Sequence, residues 1–256
     1  MGYVGKKFKV CPVQGRQLKD VRNEDIFRDF RICNTYRGGG GYDQFPVIAK
    51  RRGLVPPYMK GHIAKQFVVQ LYGCHLRCPY CYVTRDGIHG DTVMYYAGEL
   101  LEAFHEAYNR YDVGVFHMMG GAPALHMSQW PQVLQHLYPQ FMFHSDLLLT
   151  EGYYDRNTLQ SVKYDHCLYA VGVKGVRNAD YERNTGRKMD WSMFWHNLEL
   201  GVESGINFYL TFTNCDLSYI EDFKDELAAM YGPEILEDSF SIDLKQYDAL
   251  DEGPAW

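Results

Sequence analysis

From about residue 65 onward, short apolar, β-rich runs alternate with stretches of helical periodicity, and few folds satisfy that pattern. The runs fall at 66–73 (QFVVQLYG), 113–119 (VGVFHMM), 141–149 (FMFHSDLLL), 167–174 (CLYAVGVK), 207–213 (NFYLTFT) and 239–244 (SFSIDL). They read as nearly continuously apolar, the mark of strands covered on both faces. Between them Met94, Ala97, Leu101, Phe104 and Tyr108 recur three and four apart, which predicts a helix behind a cap at Asp91 or Thr92. Trp191, Phe194, Leu198 and Val202 predict a second helix after Asp190, and Ser218 with Glu221 reads as a capping box before a third. Six such β/α units joined by right-handed crossovers give an α/β protein, either a partial barrel or a doubly wound sheet. In both, chemistry gathers at the C-terminal edge of the strands.

The first sixty-odd residues have a different texture, polar and broken by Pro12, the run Gly38–Gly41, Pro46, Pro56 and Pro57. They read as an N-terminal extension, residues 1–64, lying over a main domain at 65–256 and available as a lid. The glycine run reads as a linker, since no strand-then-helix context makes it a phosphate cradle. A net charge of −6 provides no global field to recruit nucleic acid or an anionic membrane, and Lys50-Arg51-Arg52 reads as a solvated loop. No run of eighteen apolar residues occurs and no apolar stretch follows Met1, so a soluble, cytoplasmic protein with no membrane partner is expected.

Three of the seven cysteines lie within eight residues, in the segment Tyr-Gly-Cys-His-Leu-Arg-Cys-Pro-Tyr-Cys-Tyr from 72 to 82. Clustered thiols in a reducing compartment point to metal rather than to disulfides. Cys74, Cys78 and Cys81, directly after the first predicted strand, can ligate three irons of one [4Fe–4S] cubane and leave the fourth iron open to an outside ligand. Zinc is the competing reading, with His75 or His89 as fourth ligand, but the chain has no second C-x-x-C. Cys167 and Cys215 lie in apolar runs and read as buried small hydrophobes, while Cys11 and Cys33 are too few for another cluster.

The spacing Cys74-x-x-x-Cys78-x-x-Cys81, with the aromatic Tyr80 before the last cysteine, resembles the signature of the radical S-adenosylmethionine (radical SAM) superfamily. That resemblance implies a [4Fe–4S] cluster whose open iron takes the amino and carboxylate groups of SAM, and reductive cleavage of SAM to a 5′-deoxyadenosyl radical that abstracts hydrogen from substrate. Met118-Met119-Gly120-Gly121-Ala122-Pro123, after the second predicted strand, resembles the superfamily's Gly-Gly-Glu-Pro stretch, whose backbone and carboxylate grip the SAM amino group. Ala122 departs from it by lacking the acid, which leaves a main-chain carbonyl at 121 or 122 as acceptor. Val171-Gly172-Val173-Lys174-Gly175 resembles the strand-four region of activase-like members, which makes Lys174 the candidate for SAM's carboxylate or ribose. Thr213 and Asn214, closing strand five, resemble ribose or adenine contacts. The resemblance covers about 65–245, and with it the expected fold is a partial (β/α)6 TIM-like barrel with an N-terminal extension.

The implied partners are a small-molecule or nucleotide-like substrate and an electron donor such as flavodoxin or ferredoxin. Two alternatives are a glycyl-radical activase acting on a partner protein and a non-catalytic zinc or iron–sulfur binding module. No catalytic side chain stands out. Polar residues after the predicted strands, Arg85, Asp86, His89, His117, Glu151, Tyr153, Arg177, Asp243, Lys245 and Tyr247, are candidates for the pocket.

Overall fold

The computed structural model describes residues 5–12, 29–34, 48, 51–53, 65–81, 86–111, 113–137 and 141–242. Nine strands run β1 (Phe8–Val10), β2 (Arg31–Asn34), β3 (Lys65–Gln70), β4 (Val93–Tyr95), β5 (Val115–Met119), β6 (Met142–Leu147), β7 (Cys167–Val173), β8 (Phe208–Thr213) and β9 (Phe240–Ile242). The helices are α1 (Asp86–His89), α2 (Ala97–Tyr111), α3 (Pro131–Leu137), α4 (Arg156–Ser161), α5 (Asn178–Thr185), α6 (Trp191–Ser204) and α7 (Leu217–Tyr231). The main sheet has the order β2-β3-β5-β6-β7-β8-β9. β2 joins antiparallel, and the other six strands are parallel. Those six coincide with the six apolar runs. With β2 and β9 as the two edges, the sheet is the expected partial barrel.

The runs of β5 to β8 are nearly all apolar because both faces of those strands are buried, whereas Ser241 of the edge strand β9 is exposed. Outside, Phe67, Phe116, Phe143 and Tyr169 stand on neighbouring strands with ring centroids 5.5–6.2 Å apart. Trp130 covers Phe143 and Tyr169 at 5.4 and 5.8 Å. Pairs of this kind contribute about 0.5–1.5 kcal/mol each beyond their burial. At the other end of the sheet α7 presses Phe223 onto Phe212, and Phe194 of α6 packs against Phe223.

Three local expectations are corrected. Met94 lies on β4, paired with Lys9 of β1, and is exposed; α2 begins at Ala97, where Glu99 accepts from the Tyr96 N–H at 2.6 Å. Its buried face is Ala97, Leu100, Leu101, Phe104 and Ala107. α7 is capped by Asp216, which accepts from the Ser218 N–H at 3.0 Å, so Ser218 lies inside the first turn. A carboxylate outcompetes a hydroxyl for those N–H groups because its bond is charge-assisted. Arg51 and Arg52 both pair with Asp238, Arg52 at 2.8 Å, and Arg52 also donates to the Phe208 carbonyl at 2.8 Å. They therefore tie the chain near Ile48 to the β8–β9 edge, while Lys50 lies outside the described residues. The cap of α6 at Asp190 is as predicted.

The inner face is layered. At the N-terminal end Ile48, Val115, Met142, Leu168 and Tyr209 form an apolar floor. Above it the inward positions of β5 and β6 hold His117 and His144, rings 4.4 Å apart; His117 Nδ1 meets Gln66, and His144 Nε2 lies 3.2 Å from the Tyr209 hydroxyl. Burial lowers His117 to a pKa of about 3 and His144 well below its usual value, so both are neutral at physiological pH. Toward the C-terminal edge, Gln70 and Thr213 are buried and polar.

A histidine kept neutral in the fold and protonated in the unfolded chain makes stability fall with acid. From pH 6.5 down toward 3, His117 should cost about 1.4 kcal/mol per pH unit. His117→Gln should therefore flatten the pH dependence of the urea midpoint in that window, and parallel profiles for the two proteins would contradict a buried neutral imidazole.

Candidate functional site

β3 and β5 pair in parallel and end side by side, so the segments that follow them face each other. The first runs from Gly73 through the three cysteines; the second is Gly120-Gly121-Ala122. They are joined: the Gly73 carbonyl accepts from the Ala122 N–H at 2.8 Å, and the Leu71 N–H donates to the Met119 carbonyl at 2.9 Å. Gly121 has φ +56°, and a Cβ there would lie 2.2 Å from the Gly73 oxygen. Only glycine lets the two backbones meet this way. Gly120, at φ +76°, lies against the Gln70 side chain with the same result.

The other side of the cysteine loop is strapped to the end of α5. Arg77 N–H donates to the Thr185 carbonyl at 2.7 Å, and Arg187 Nε to the His75 carbonyl at 2.9 Å. Within this frame Cys78, Leu76, Leu148 and Tyr181 form a buried apolar shell that Cys74, Tyr80, Cys81 and Met189 complete. Burial, with Glu151 adding repulsion, pushes the Cys74 thiol up to about 12; burial also raises Cys78, with the Lys174 ammonium acting in the opposite direction. Lys174 Nζ stands 5.6 Å from the Tyr80 ring centroid. The Tyr80 hydroxyl is buried beside the Cys78 thiol. Among the described residues, no three His, Cys, Asp or Glu side chains converge on a point suited to a single metal ion. A cubane makes a different demand, because each thiolate meets its own iron.

Asn184, in the run Asn-Thr-Gly-Arg at 184–187, organises the strand ends. Its buried Nδ2 donates to the carbonyls of Lys174 (2.8 Å), Asn214 (3.0 Å) and Thr213 (3.3 Å), so one amide fixes the ends of β7 and β8. Asn214 has φ +51°, a conformation asparagine tolerates, and its N–H donates to the Ile242 carbonyl at 2.8 Å. Lys174, Thr213, Asn214, Tyr80 and the Gly120–Ala122 turn thus all lie at the C-terminal edge of the sheet with the cysteines.

The pocket candidates divide. Glu151 joins the cysteine loop: its Oε1 lies 3.3 Å from His75 Nδ1 and 3.9 Å from Cys74 Sγ. His117 lies in the barrel interior. Tyr153 is exposed and packs edge-on to His196, and His89 does the same with Tyr72. Arg177 stacks on Tyr219 and pairs with Asp216, a surface arrangement. Asp86 opens α1. Arg85, Asp243, Lys245, Tyr247 and the glycine run 38–41 lie outside the described residues. Asp146, missed in the sequence because it sits within an apolar run, faces inward from β6, and burial raises its carboxyl to about 6 against the pull of Lys174. Cys167 is buried as expected; Cys215 is half-buried, its thiol 3.5 Å from the Val173 carbonyl.

The family model of the radical SAM superfamily matches residues 68–227. No curated protein sequence matches the chain. Among solved structures, the chain resembles the cobalamin-dependent S-adenosylmethionine radical enzyme OxsB with aqua-cobalamin bound (TM-score 0.43, 16% identity), over 61% of this chain and 26% of that one. It also resembles native anSMEcpe with bound AdoMet (TM-score 0.44, 17% identity, 69% of this chain and 52% of that one). A third is methylornithine synthase, PylB (TM-score 0.46, 9% identity, 69% and 53%). The chain thus spans about a quarter of OxsB and about half of the other two. Among the described residues, no helix is long and apolar enough to cross a membrane. Because the family match extends over more than half of its length, this chain belongs to the radical SAM superfamily of enzymes.

Proposed function

We propose that Cys74, Cys78 and Cys81 hold a [4Fe–4S] cluster, and that the radical generated there from S-adenosylmethionine acts on a polar small-molecule or nucleotide-like substrate in the barrel. The family implies SAM and an iron–sulfur cluster in general; the assignment to these residues is carried by the junction at Gly73. That carbonyl binds Ala122 N–H and packs on Gly121, so three thiols and the Gly-Gly turn share one rigid frame. The residues present suit the cofactors. Three cysteines lie in a single apolar shell, and a buried Glu151 oxygen has no hydrogen-bond partner among the described residues.

When bound, the cluster and SAM supply reductive cleavage to a 5′-deoxyadenosyl radical and hydrogen abstraction. The chain's own part is binding, orientation and exclusion of water. Leu76, Leu148, Tyr181 and Met189 keep water from the thiols. Leu125 N–H already uses the Ala122 carbonyl at 3.1 Å, so Gly121 offers the better main-chain acceptor for the SAM amino group. Lys174 is the proposed partner of the SAM carboxylate. Thr213 and Asn214, both bonded by Asn184, are the proposed contacts of its ribose or adenine. Below them the interior presents Gln70, His117, His144 and Asp146, a lining of donors and acceptors that favours a substrate with many polar atoms over a lipid. A flavodoxin or ferredoxin is the proposed source of the electron.

Anaerobic reconstitution should load iron and sulfide in equal amounts, and with SAM and a reductant the wild type should release 5′-deoxyadenosine. Cys78→Ala should abolish that product; a cluster-loaded wild type that releases none would sink the reading. Gly121→Ala, which drives a methyl group into the Gly73 carbonyl, should cost about 1–3 kcal/mol of stability and weaken SAM binding about tenfold. Thermal unfolding and equilibrium dialysis would measure the two effects.

A further inference from the structure

A carboxylate with one unpartnered oxygen stands in the wall of the cysteine loop. Glu151 follows β6, and its side chain is 1% exposed. His75 Nδ1 faces Oε1 at 3.3 Å and Cys74 Sγ lies 3.9 Å from the same oxygen, while Oε2 is buried with no hydrogen-bond partner among the described residues. An acceptor held out of water in this way is costly until a donor or cation reaches it. The surrounding charges say which kind of partner fits. Cys74 and Cys78 share the site and carry negative charge when they bind metal, so a further carboxylate beside them calls for a strong hydrogen-bond donor or a cation. Lys174 supplies one positive charge at the same site, interacting with Cys78, Tyr80, Asp146 and Glu151.

Position 122 offers no help. Ala122 is fully buried, has no acceptor on its side chain, and commits its N–H to Gly73. A buried carboxylate and a neighbouring ammonium match the two polar groups of an amino-acid head, one for its amino N–H groups and one for its carboxylate. We propose that Glu151 accepts from the α-amino N–H groups of S-adenosylmethionine, supplying from the turn after β6 the carboxylate that Ala122 lacks, while Lys174 faces the α-carboxylate of the same ligand. His75 is the positioning residue, holding Oε1 so that Oε2 points to the ligand. This inference rests on the reading of the cysteine loop and the Gly120–Ala122 turn as the SAM site.

The test measures binding rather than turnover. Wild type and Glu151→Gln are reconstituted to the same iron content and titrated with SAM and with 5′-methylthioadenosine, which lacks the amino-acid head. The Kd for SAM should rise about tenfold or more in the variant, the size expected of one lost charge-assisted hydrogen bond. The Kd for methylthioadenosine should not move, and Glu151→Asp should recover part of the loss. An unchanged SAM affinity, or equal weakening of both ligands, overturns the assignment while leaving the SAM site standing. Should Glu151→Gln fail to hold iron, Glu151→Asp at full iron content decides: SAM binding weakened about threefold or more with unchanged methylthioadenosine affinity supports the proposal, and unchanged SAM affinity or equal weakening of both ligands overturns it. A cluster-loaded wild type that binds no SAM overturns the underlying reading and this assignment together.

Discussion

The hydrogen bond from Ala122 N–H to the Gly73 carbonyl, with Gly121 pressed against the same oxygen, joins the two segments on which the site depends. Backbone groups this deeply placed must find partners, and here each loop satisfies the other. The contact is possible because β3 and β5 are parallel neighbours that end at the same level, and because glycine accepts φ +56° with no Cβ in the way. From this junction the cysteine loop runs out to α5, where Thr185 and Arg187 hold it from the opposite side. A loop held from two sides at Gly73, His75 and Arg77 is preorganised there, which reduces the reordering its ligands need on binding.

Charge inside the site is arranged with the same economy. Cys74, Cys78, Glu151 and Asp146 are drawn together from three elements; Lys174 is the cation that faces them, and His75 Nδ1 lies against Glu151. Buried groups of one sign are tolerated only where opposite charge or hydrogen bonds compensate. Asn184 belongs to this logic although it carries no charge: by binding three carbonyls it fixes the backbone from which Lys174, Thr213 and Asn214 project. The barrel interior adds a separate polar layer of neutral histidines above an apolar floor, so the inner face changes character along the strands.

Much of this was legible in the residues. Six β-rich runs announced six parallel strands, and the inner ones are continuously apolar since a strand covered on both faces has no reason to alternate. Cys74, Cys78 and Cys81, with Gly120 and Gly121 one unit later, announced the site by spacing. Local chemistry was read less well where two groups competed for one role. Asp216 displaced Ser218 as a cap, and Met94 followed the pairing of β4 rather than the helical period it seemed to extend.

What the sequence by itself determined is the order of strands and helices, the cysteine spacing and the need for glycine at 120 and 121, because these depend on periodicity and on backbone freedom near each residue. Only the tertiary structure decided that Glu151 stands beside Cys74, that Asn184 binds the ends of two strands, and that His117 and His144 meet inside the barrel. Those residues lie tens of positions apart, and no local pattern marks them. Their meeting follows from strand register and from the turns that bring separate strand ends to one edge.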